Sequence, residues 1–216
     1  MKIVALTDVH GAYGIVRSIL EREAPFDAVV IGGDLTTRGT PEEAEAAIRS
    51  FGAFGSPVVV VAGNMDSPEV ERAMGDAGLL IDGKGVVLEG VGFFGVSASP
   101  PTPMHTPYEI PEEEILKRSE AGWSDLGEAT IRVFVPHAPP WNTRLDVLRN
   151  GAHAGSVSVR RVVESLSPDV VICGHIHESR GMDRLGRTHM MNCGPASDGK
   201  YGVVLAGETL ELALRV

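Results

Sequence analysis

The chain has 216 residues, of which 43% are hydrophobic and 22% charged, and its formal net charge is −10. These values are typical of a folded globular protein, and the length suits one domain covering residues 1–216. No apolar run reaches the ~18–20 residues needed to cross a bilayer, so we expect no membrane partner. The acidic charge and the lack of a long basic run disfavour nucleic acid as a partner. The first apolar run is too short for a secretory signal, so a cytoplasmic location is expected.

The first part of the chain alternates strand-like and helix-like segments. Apolar runs at 3–7, 28–31 and 58–61 predict buried strands, and helical spacing of apolar residues follows the first two. Thr40-Pro41-Glu42-Glu43 has the sequence of a capping box, with proline at the first helical position. This alternation predicts a largely parallel sheet with helices on its faces.

The pattern changes after residue 78. Between 79 and 97, short apolar runs separated by glycine-containing turns predict antiparallel hairpins. Residues 98–109 contain four prolines and predict an extended loop. A helix after 111, a strand at 131–135, a helix at 159–166, a strand at 169–173 and antiparallel strands at roughly 187–215 are expected next. Cys173 and Cys193 are expected to be reduced thiols in the core.

Side chains that can bind metal ions follow successive predicted strands. They are Asp8, His10, Asp34, Asn64, His137, His175 and His177. Taken singly, each has an ordinary explanation as a helix cap, a turn residue or a structural histidine. Two pairs are separated by one residue, and in extended backbone the members of such a pair point the same way. Because ligand sites in α/β sheets lie at the carboxyl ends of strands, we expect all seven to converge on a metal centre.

The order of these motifs resembles the calcineurin-like metallophosphoesterase superfamily over nearly the whole chain. The motifs are Asp8-x-His10, Gly33-Asp34, Gly63-Asn64, His137 and Gly174-His175-x-His177. The resemblance implies an α/β fold, a four-layer αββα sandwich of two mixed β-sheets flanked by helices. It also implies two divalent metal ions. One would be held by Asp8, His10, Asp34 and His177, and the other by Asp34, Asn64, His137 and His175. Carboxylate and imidazole ligands favour Mn²⁺, with Fe, Ni²⁺ or Zn²⁺ as alternatives.

One position departs from the superfamily's phosphatase pattern. Phosphatase members carry a histidine after the motif asparagine, which is thought to protonate the leaving group, whereas this chain has Met65. The sequence therefore resembles the small phosphodiesterase-like branch. It predicts a phosphodiesterase that hydrolyses a small or activated phosphate ester by attack of a metal-bridging hydroxide. The alternatives are a phosphomonoesterase or nucleotide pyrophosphohydrolase, and a non-catalytic protein-binding scaffold of the same fold.

The candidate catalytic residues are His153, Asp66 and Asn64. His153 lies among small residues that allow a ligand to approach, so it could replace the missing proton donor; its alternative is a structural role in a loop. Asp66 would either support the metal site or cap the helix that follows it. Asn64 would act as a metal ligand within the catalytic centre.

Weaker candidates complete the prediction. His105 and His189 are further histidines that could donate a proton, and Asn142 and Arg144 would either contact a phosphate or lie in solvent. A homodimer could use an exposed patch formed with the proline-rich loop by Phe93, Phe94 and Trp123. Core packing explains the two phenylalanines equally well.

Overall fold

The computed structural model describes residues 1–216 and contains twelve β-strands and five α-helices. The strands are β1 (Lys2–Leu6), β2 (Ala28–Gly32), β3 (Val58–Val61), β4 (Leu79–Leu80), β5 (Gly85–Leu88), β6 (Val91–Val96), β7 (Ile131–Pro136), β8 (Val170–Cys173), β9 (Gly181–Leu185), β10 (Thr188–Asn192), β11 (Tyr201–Ala206) and β12 (Leu210–Arg215). The helices are α1 (Tyr13–Glu23), α2 (Pro41–Gly52), α3 (Pro68–Ala77), α4 (Glu112–Ser124) and α5 (Val157–Leu166).

The strands form two mixed sheets of six strands each. The order is β12-β11-β1-β2-β3-β4 in the first sheet and β5-β6-β7-β8-β10-β9 in the second. In the first sheet β1 to β4 are parallel, and β11 and β12 continue the sheet in antiparallel pairing. In the second sheet β6, β7, β8 and β10 are parallel, with antiparallel β5 and β9 at the edges.

Alternating side chains of the strands divide the core into layers. In β1, Ile3 and Ala5 belong to a cluster of 17 buried residues drawn from both sheets and from none of the α-helices. Val4 and Leu6 belong instead to a cluster that contains helix residues such as Val16. Since successive side chains of a strand point to opposite faces, one face of each sheet packs on the other sheet and one on helices. The expected four-layer αββα sandwich is confirmed.

Polar caps set the starts of three helices. Thr40 caps α2 by accepting a hydrogen bond from the Glu43 backbone N–H at 3.3 Å, as the sequence predicts. The Glu43 side chain does not complete a capping box, because its carboxylate accepts a hydrogen bond from the Tyr13 hydroxyl instead. Ser67 and Ser156 cap α3 and α5 in the same manner as Thr40.

Two of the strand pairings expected from sequence are only partly correct. Within 79–97, β5 and β6 form an antiparallel hairpin, but β4 pairs parallel with β3, and β6 pairs parallel with β7. Near the carboxyl end, β10 is antiparallel to β9 but parallel to β8. Short apolar runs indicate that a strand is present, whereas the direction of its neighbour depends on the path of the chain between them.

Several smaller expectations concern burial. Phe93 and Phe94 are fully buried, and Phe94 stacks on Phe134 with ring centroids 4.5 Å apart. These two side chains therefore cannot form an exposed dimer patch. Cys173 and Cys193 are buried free thiols, as expected.

None of the helices combines the length and apolar character that a bilayer span requires.

Candidate metal centre

The candidate ligands lie at one edge of the sandwich, where the carboxyl ends of β1, β2, β3, β7 and β8 meet. Backbone hydrogen bonds join the loops after these strands. The Asp8 N–H donates to the Gly33 carbonyl at 3.0 Å, and the His10 N–H donates to the Asp34 carbonyl at 2.9 Å. In the second sheet the Gly174 N–H donates to the His137 carbonyl at 3.0 Å. Parallel pairing therefore brings distant parts of the sequence to the same edge.

The backbone at the ligands is not extended, contrary to the expectation for the two closely spaced pairs. Asp8, His10, Asp34 and His175 all have left-handed backbone conformations, with φ between 48° and 66°. His177 begins a short 3₁₀ turn. Aspartate and histidine enter the left-handed region more readily than most residues, although such conformations carry strain. Tight turns directly after the strands, rather than strand alternation, aim these side chains at a common point.

One group of donors is formed by Asp8, His10 and His177, whose ligand atoms lie within 4.8 Å of one another. The His177 Nε2 atom is 3.3 Å from Asp8 Oδ1. The His10 Nε2 atom is 3.7 Å from Asp34 Oδ2. Asp34 therefore adjoins this group through one carboxylate oxygen.

A second group adjoins the other oxygen of Asp34. The His137 Nε2 atom lies 3.5 Å from Asp34 Oδ1 and 3.0 Å from Asn64 Oδ1. The His175 Nδ1 atom lies 2.8 Å from the same Asn64 oxygen. Asp8, Asp34 and His137 also have ligand atoms within 4.8 Å of one another. The structure thus brings together all seven side chains singled out in the sequence, with Asp34 between two groups.

The hydrogen bonds around these histidines indicate which ring nitrogen is free to bind a cation. His137 Nδ1 is 2.9 Å from the Gly32 carbonyl, which only accepts, so in the neutral ring Nδ1 carries the proton. His137 Nε2 then presents a lone pair to the Asn64 oxygen, and two acceptors this close repel unless a cation lies between them. His10 Nδ1 similarly contacts the Thr37 hydroxyl at 2.8 Å, leaving Nε2 turned towards Asp34. Outer hydrogen bonds of this kind orient metal-binding imidazoles, so the donor set fits divalent metal ions.

Burial strongly perturbs the ionisable groups of the site. It raises the pKa of Asp34 to about 7, with the Asp8 and Asp66 charges adding to the effect and His137 opposing it. Burial also acts on Asp8, but its hydrogen bond with His177 and the nearby histidine charges lower its pKa to about 2. For His175, burial lowers the pKa to about 3, so this ring is neutral and able to bind a metal ion at ordinary pH.

The raised pKa of Asp34 predicts how the stability of the metal-free protein depends on pH. In the unfolded chain this carboxyl ionises near 3.8, whereas the folded protein keeps it protonated up to about pH 7. The folded state binds the proton of Asp34 more tightly, so the contribution of Asp34 to the free energy of unfolding decreases as pH rises between these values. The lowered pKa of His175 acts in the opposite direction over much of the same range, so the effect of Asp34 is isolated by comparison with Asp34→Asn. We expect the melting temperature of the EDTA-treated wild type, relative to that of EDTA-treated Asp34→Asn, to decrease as pH rises across this range. Melting temperatures with the same pH dependence in both proteins would contradict the assignment.

Asp66 is completely buried and contacts two of the loops that carry candidate ligands. Its carboxylate accepts hydrogen bonds from the backbone N–H groups of Leu35, Thr36 and Gly63 and from the Thr36 hydroxyl, at 2.8 to 3.1 Å. It therefore ties the loop after β2 to the loop after β3. The alternative role as a helix cap is wrong, because Ser67 caps α3.

Two glycines are required by the close approach of the ligand carboxylates. A Cβ atom on Gly63 would overlap the Asp34 carboxylate, and one on Gly174 would overlap the Asp8 carboxylate. Each of these glycines directly precedes a candidate ligand. A larger residue at either place would displace a carboxylate of the neighbouring loop.

A cleft of about 560 Å³ opens beside the centre and reaches His175. His153 also lines it, with its side chain about one-third exposed. The His153 Nδ1 atom is 2.8 Å from Asp146 Oδ1, and Asp146 is fully buried. The Asp146 carboxylate also accepts backbone hydrogen bonds from Asn142, Thr143 and Gly155. Asp146 is not among the residues predicted from the sequence, because no motif marks it and its contact with His153 depends on the fold of the loop.

The other sequence candidates lie away from the centre. His105 is exposed in the proline-rich loop and does not line the cleft. His189 pairs with Val170 at the start of β8, at the far end of the sheet from the ligands. Arg144 and Asn142 are exposed, and neither lines the cleft, which fits the solvent role considered for them.

The chain matches a known protein family over most of its length. Residues 1–179 match the sequence profile of the family described as calcineurin-like phosphoesterase. The chain belongs to this family. Membership and the Asp and His clusters together support a metal-dependent phosphoesterase.

Individual relatives extend over nearly the whole chain. A protein of Methanocaldococcus jannaschii, described only as uncharacterized, is 35% identical over 201 residues, which cover 91% of this chain and 89% of the relative. The crystal structure of TT1561 of Thermus thermophilus is similar with a TM-score of 0.76 at 19% identity, covering 98% of this chain and 97% of that one. A 5'-nucleotidase from Candida albicans gives a TM-score of 0.58 at 13% identity, covering 94% of this chain and 46% of that one. At such identities the two structures show likeness of fold alone.

Proposed function

We propose that this protein is a phosphodiesterase that requires two divalent metal ions and hydrolyses a small or activated phosphate ester. The observation that carries the proposal is the position of Asp34 between two groups of donors. Asp8, His10 and His177 would hold one ion, and Asn64, His137 and His175 the other, with Asp34 shared. Mn²⁺ is the first candidate for these ligands, followed by Fe, Ni²⁺ and Zn²⁺.

The charge of the site supports an anionic substrate. When bound, two such ions supply Lewis-acid activation of water and stabilise charge on the phosphoryl oxygens. Two divalent ions bring four positive charges, and Asp8 and Asp34 offset two of them. The excess positive charge suits a phosphate ester, even in a protein whose formal net charge is −10.

Met65 supports the preference for diesters or activated esters. Its backbone N–H donates to Asp34 Oδ1 at 2.8 Å, so the main chain at this position orients a ligand. The Met65 side chain cannot donate a proton to a leaving alkoxide. An ester with a good leaving group does not require such a donor, whereas a poor leaving group does.

We assign proton donation to His153. Asp146 engages its Nδ1 atom and orients the ring, and the cleft that His153 lines also contains the ligand His175. A histidine held by a buried carboxylate beside the reaction site is a suitable general acid. In this proposal Asp66 is a positioning residue, because its four hydrogen bonds support the loops and leave it buried away from substrate.

Substitution of Met65 tests the preference for diesters. We expect Met65→His to raise the ratio of kcat/KM for phenyl phosphate to that for bis(p-nitrophenyl) phosphate by at least about tenfold, because a departing phenolate needs a proton donor whereas 4-nitrophenolate needs little protonation. Steady-state kinetics of the manganese-loaded proteins measure this ratio. Met65→Gln is the control, since it adds a polar side chain of similar length that is not an acid. An unchanged ratio in Met65→His would count against a missing proton donor at this position.

The remaining alternatives differ in measurable ways. A scaffold would bind little metal and hydrolyse no ester, so metal analysis by mass spectrometry on the purified protein separates it from an enzyme. A nucleotide pyrophosphohydrolase would instead cleave dinucleotides faster than aryl diesters. A substrate panel with Mn²⁺, Ni²⁺ and Zn²⁺ distinguishes these activities.

A further inference from the structure

The cleft beside the candidate metal centre has a distinctive chemical character. One wall is the proline-rich segment 100–104, and the other contains Leu148, Ala154 and Gly155. Ile176 and the ligand His175 also line it. Most of the surface offered to a ligand is therefore carbon from proline, methionine, leucine and isoleucine side chains.

The cleft contains few charged side chains. Glu112 is the acidic residue in its lining, and no lysine or arginine is among the residues that line the cleft. The Glu112 carboxylate accepts hydrogen bonds from the Ser156 hydroxyl at 2.6 Å and from the backbone N–H groups of Val157 and Ser158 at 3.1 and 3.0 Å. An anionic ligand group would thus meet apolar carbon and the Glu112 carboxylate, and the His153 ring, which is cationic when it carries the proton to be donated, is already paired with the Asp146 carboxylate. Such an environment is unfavourable for a further anion.

The proline-rich wall is held in place relative to the centre. The Glu109 carboxylate accepts hydrogen bonds from the hydroxyls of Thr102 and Thr106 at 2.6 Å and from the Thr106 N–H at 2.8 Å. The Tyr108 N–H donates to the carbonyl of the ligand Asn64 at 3.0 Å. A wall fixed in this way can discriminate between groups by shape and charge, because it does not have to be ordered on binding.

Resting on the proposed function, we infer that this cleft binds the leaving group of the ester and selects one that is uncharged and largely apolar, such as an aryl group. Because both His175 and His153 line the cleft, a leaving group bound there would lie between the candidate metal centre and the proposed proton donor. The substrate class is then a phosphodiester with a neutral, apolar leaving group. Leaving groups that carry further phosphates, as in nucleotide anhydrides or nucleic acids, are disfavoured.

Two substrates that differ in one charge test the inference. Methyl 4-nitrophenyl phosphate and methyl 3-carboxy-4-nitrophenyl phosphate have leaving groups of similar acidity, but the second carries an added carboxylate. We expect the manganese-loaded protein to favour the neutral leaving group by at least tenfold in kcat/KM. Met104→Lys, at an exposed position of the cleft lining, should reduce or reverse this preference.

The matched control is Leu205→Lys. Leu205 is also exposed, but it pairs with Lys2 at the start of β1, far from the ligands, so its substitution should leave the preference unchanged. Calorimetric titration with benzyl(methyl)phosphinate and its 4-carboxybenzyl analogue measures the same selectivity without hydrolysis. These probes have no ester bond, and we expect the neutral one to bind at least tenfold more tightly.

The outcomes separate the two proposals. If esters are hydrolysed but the carboxylate has no effect in wild type or Met104→Lys, the inference about the cleft is overturned and the phosphodiesterase proposal stands. If no ester is hydrolysed, the proposed function fails, and the phosphinate affinities still decide whether the cleft selects uncharged groups. Equal affinities for the two phosphinates would overturn the inference.

Discussion

Asp34→Asn is expected to lower kcat/KM for phosphate esters by about 10²–10³-fold, the loss typical of removing one electrostatic element from an active site. Asp34 is the side chain that adjoins both groups of donors, through Oδ2 to His10 and through Oδ1 to His137. Its replacement removes the shared negative charge and therefore weakens both proposed metal sites. Asparagine has nearly the same shape, and its carbonyl oxygen can still accept the Met65 N–H. We therefore expect the fold to be retained.

The measurement combines steady-state kinetics with metal analysis on the same preparation. We expect the variant to bind fewer than two equivalents of Mn²⁺ under conditions in which the wild type binds two. Asp76→Asn is the matched control, because Asp76 is an exposed aspartate on α3, outside both groups of donors. Full activity with full metal content in Asp34→Asn would contradict a bridging role.

His153→Gln is expected to act selectively on esters with poor leaving groups. For a diester with an unactivated phenol we expect kcat/KM to fall by about 10²–10³-fold, within the range of general acid catalysis. For 4-nitrophenyl esters the effect should be small, since the departing phenolate needs little protonation. Glutamine keeps a polar side chain that can still bond to Asp146, so loss of loop structure is minimised.

A series of aryl diesters measures this effect directly. Without a proton donor, log kcat/KM should depend more steeply on the pKa of the leaving phenol. His105→Gln is the control, because His105 belongs to the adjacent proline-rich loop but does not line the cleft. If the slopes of His153→Gln and wild type agree, His153 is not the proton donor. Asp146→Asn should steepen the slope as well, because it weakens the hold on the His153 ring.

The buried strands of the first sheet could be predicted from local pattern, whereas the four-layer sandwich was implied by the family resemblance. The runs at 3–7, 28–31 and 58–61 correspond closely to β1, β2 and β3, and Thr40 marks the start of α2 through its side-chain cap. Whether neighbouring strands pair parallel or antiparallel was less predictable. The segment that contains β4 to β6 has hairpin turns in its sequence, yet two of its pairings are parallel. Long-range connectivity decides these pairings, and no local pattern records it.

The candidate ligands could be predicted because polar donors directly after buried strands converge at one edge of a parallel sheet. Their conformations could not. Asp8 and His175 are left-handed, and the Asp8 carboxylate accepts the His175 N–H at 3.1 and 3.2 Å across 167 residues of sequence. Such turns are stabilised by contacts between the two sheets, which a local pattern does not contain.

The order of strands and donors, the family resemblance and the lack of a proton donor at Met65 can all be read from the amino-acid sequence. The fold is needed to show which groups support the candidate ligands and which residues form the adjacent cleft. Asp66 reaches the loop after β2 across 31 residues, and the Glu112 carboxylate accepts backbone N–H groups at the start of a helix that begins 45 residues later. Asp146 turns His153 into a candidate acid, and two distant loops enclose an apolar cleft. The physical reason is that periodicity and turn chemistry act between neighbours, whereas support and selectivity arise from contacts between residues far apart in the chain.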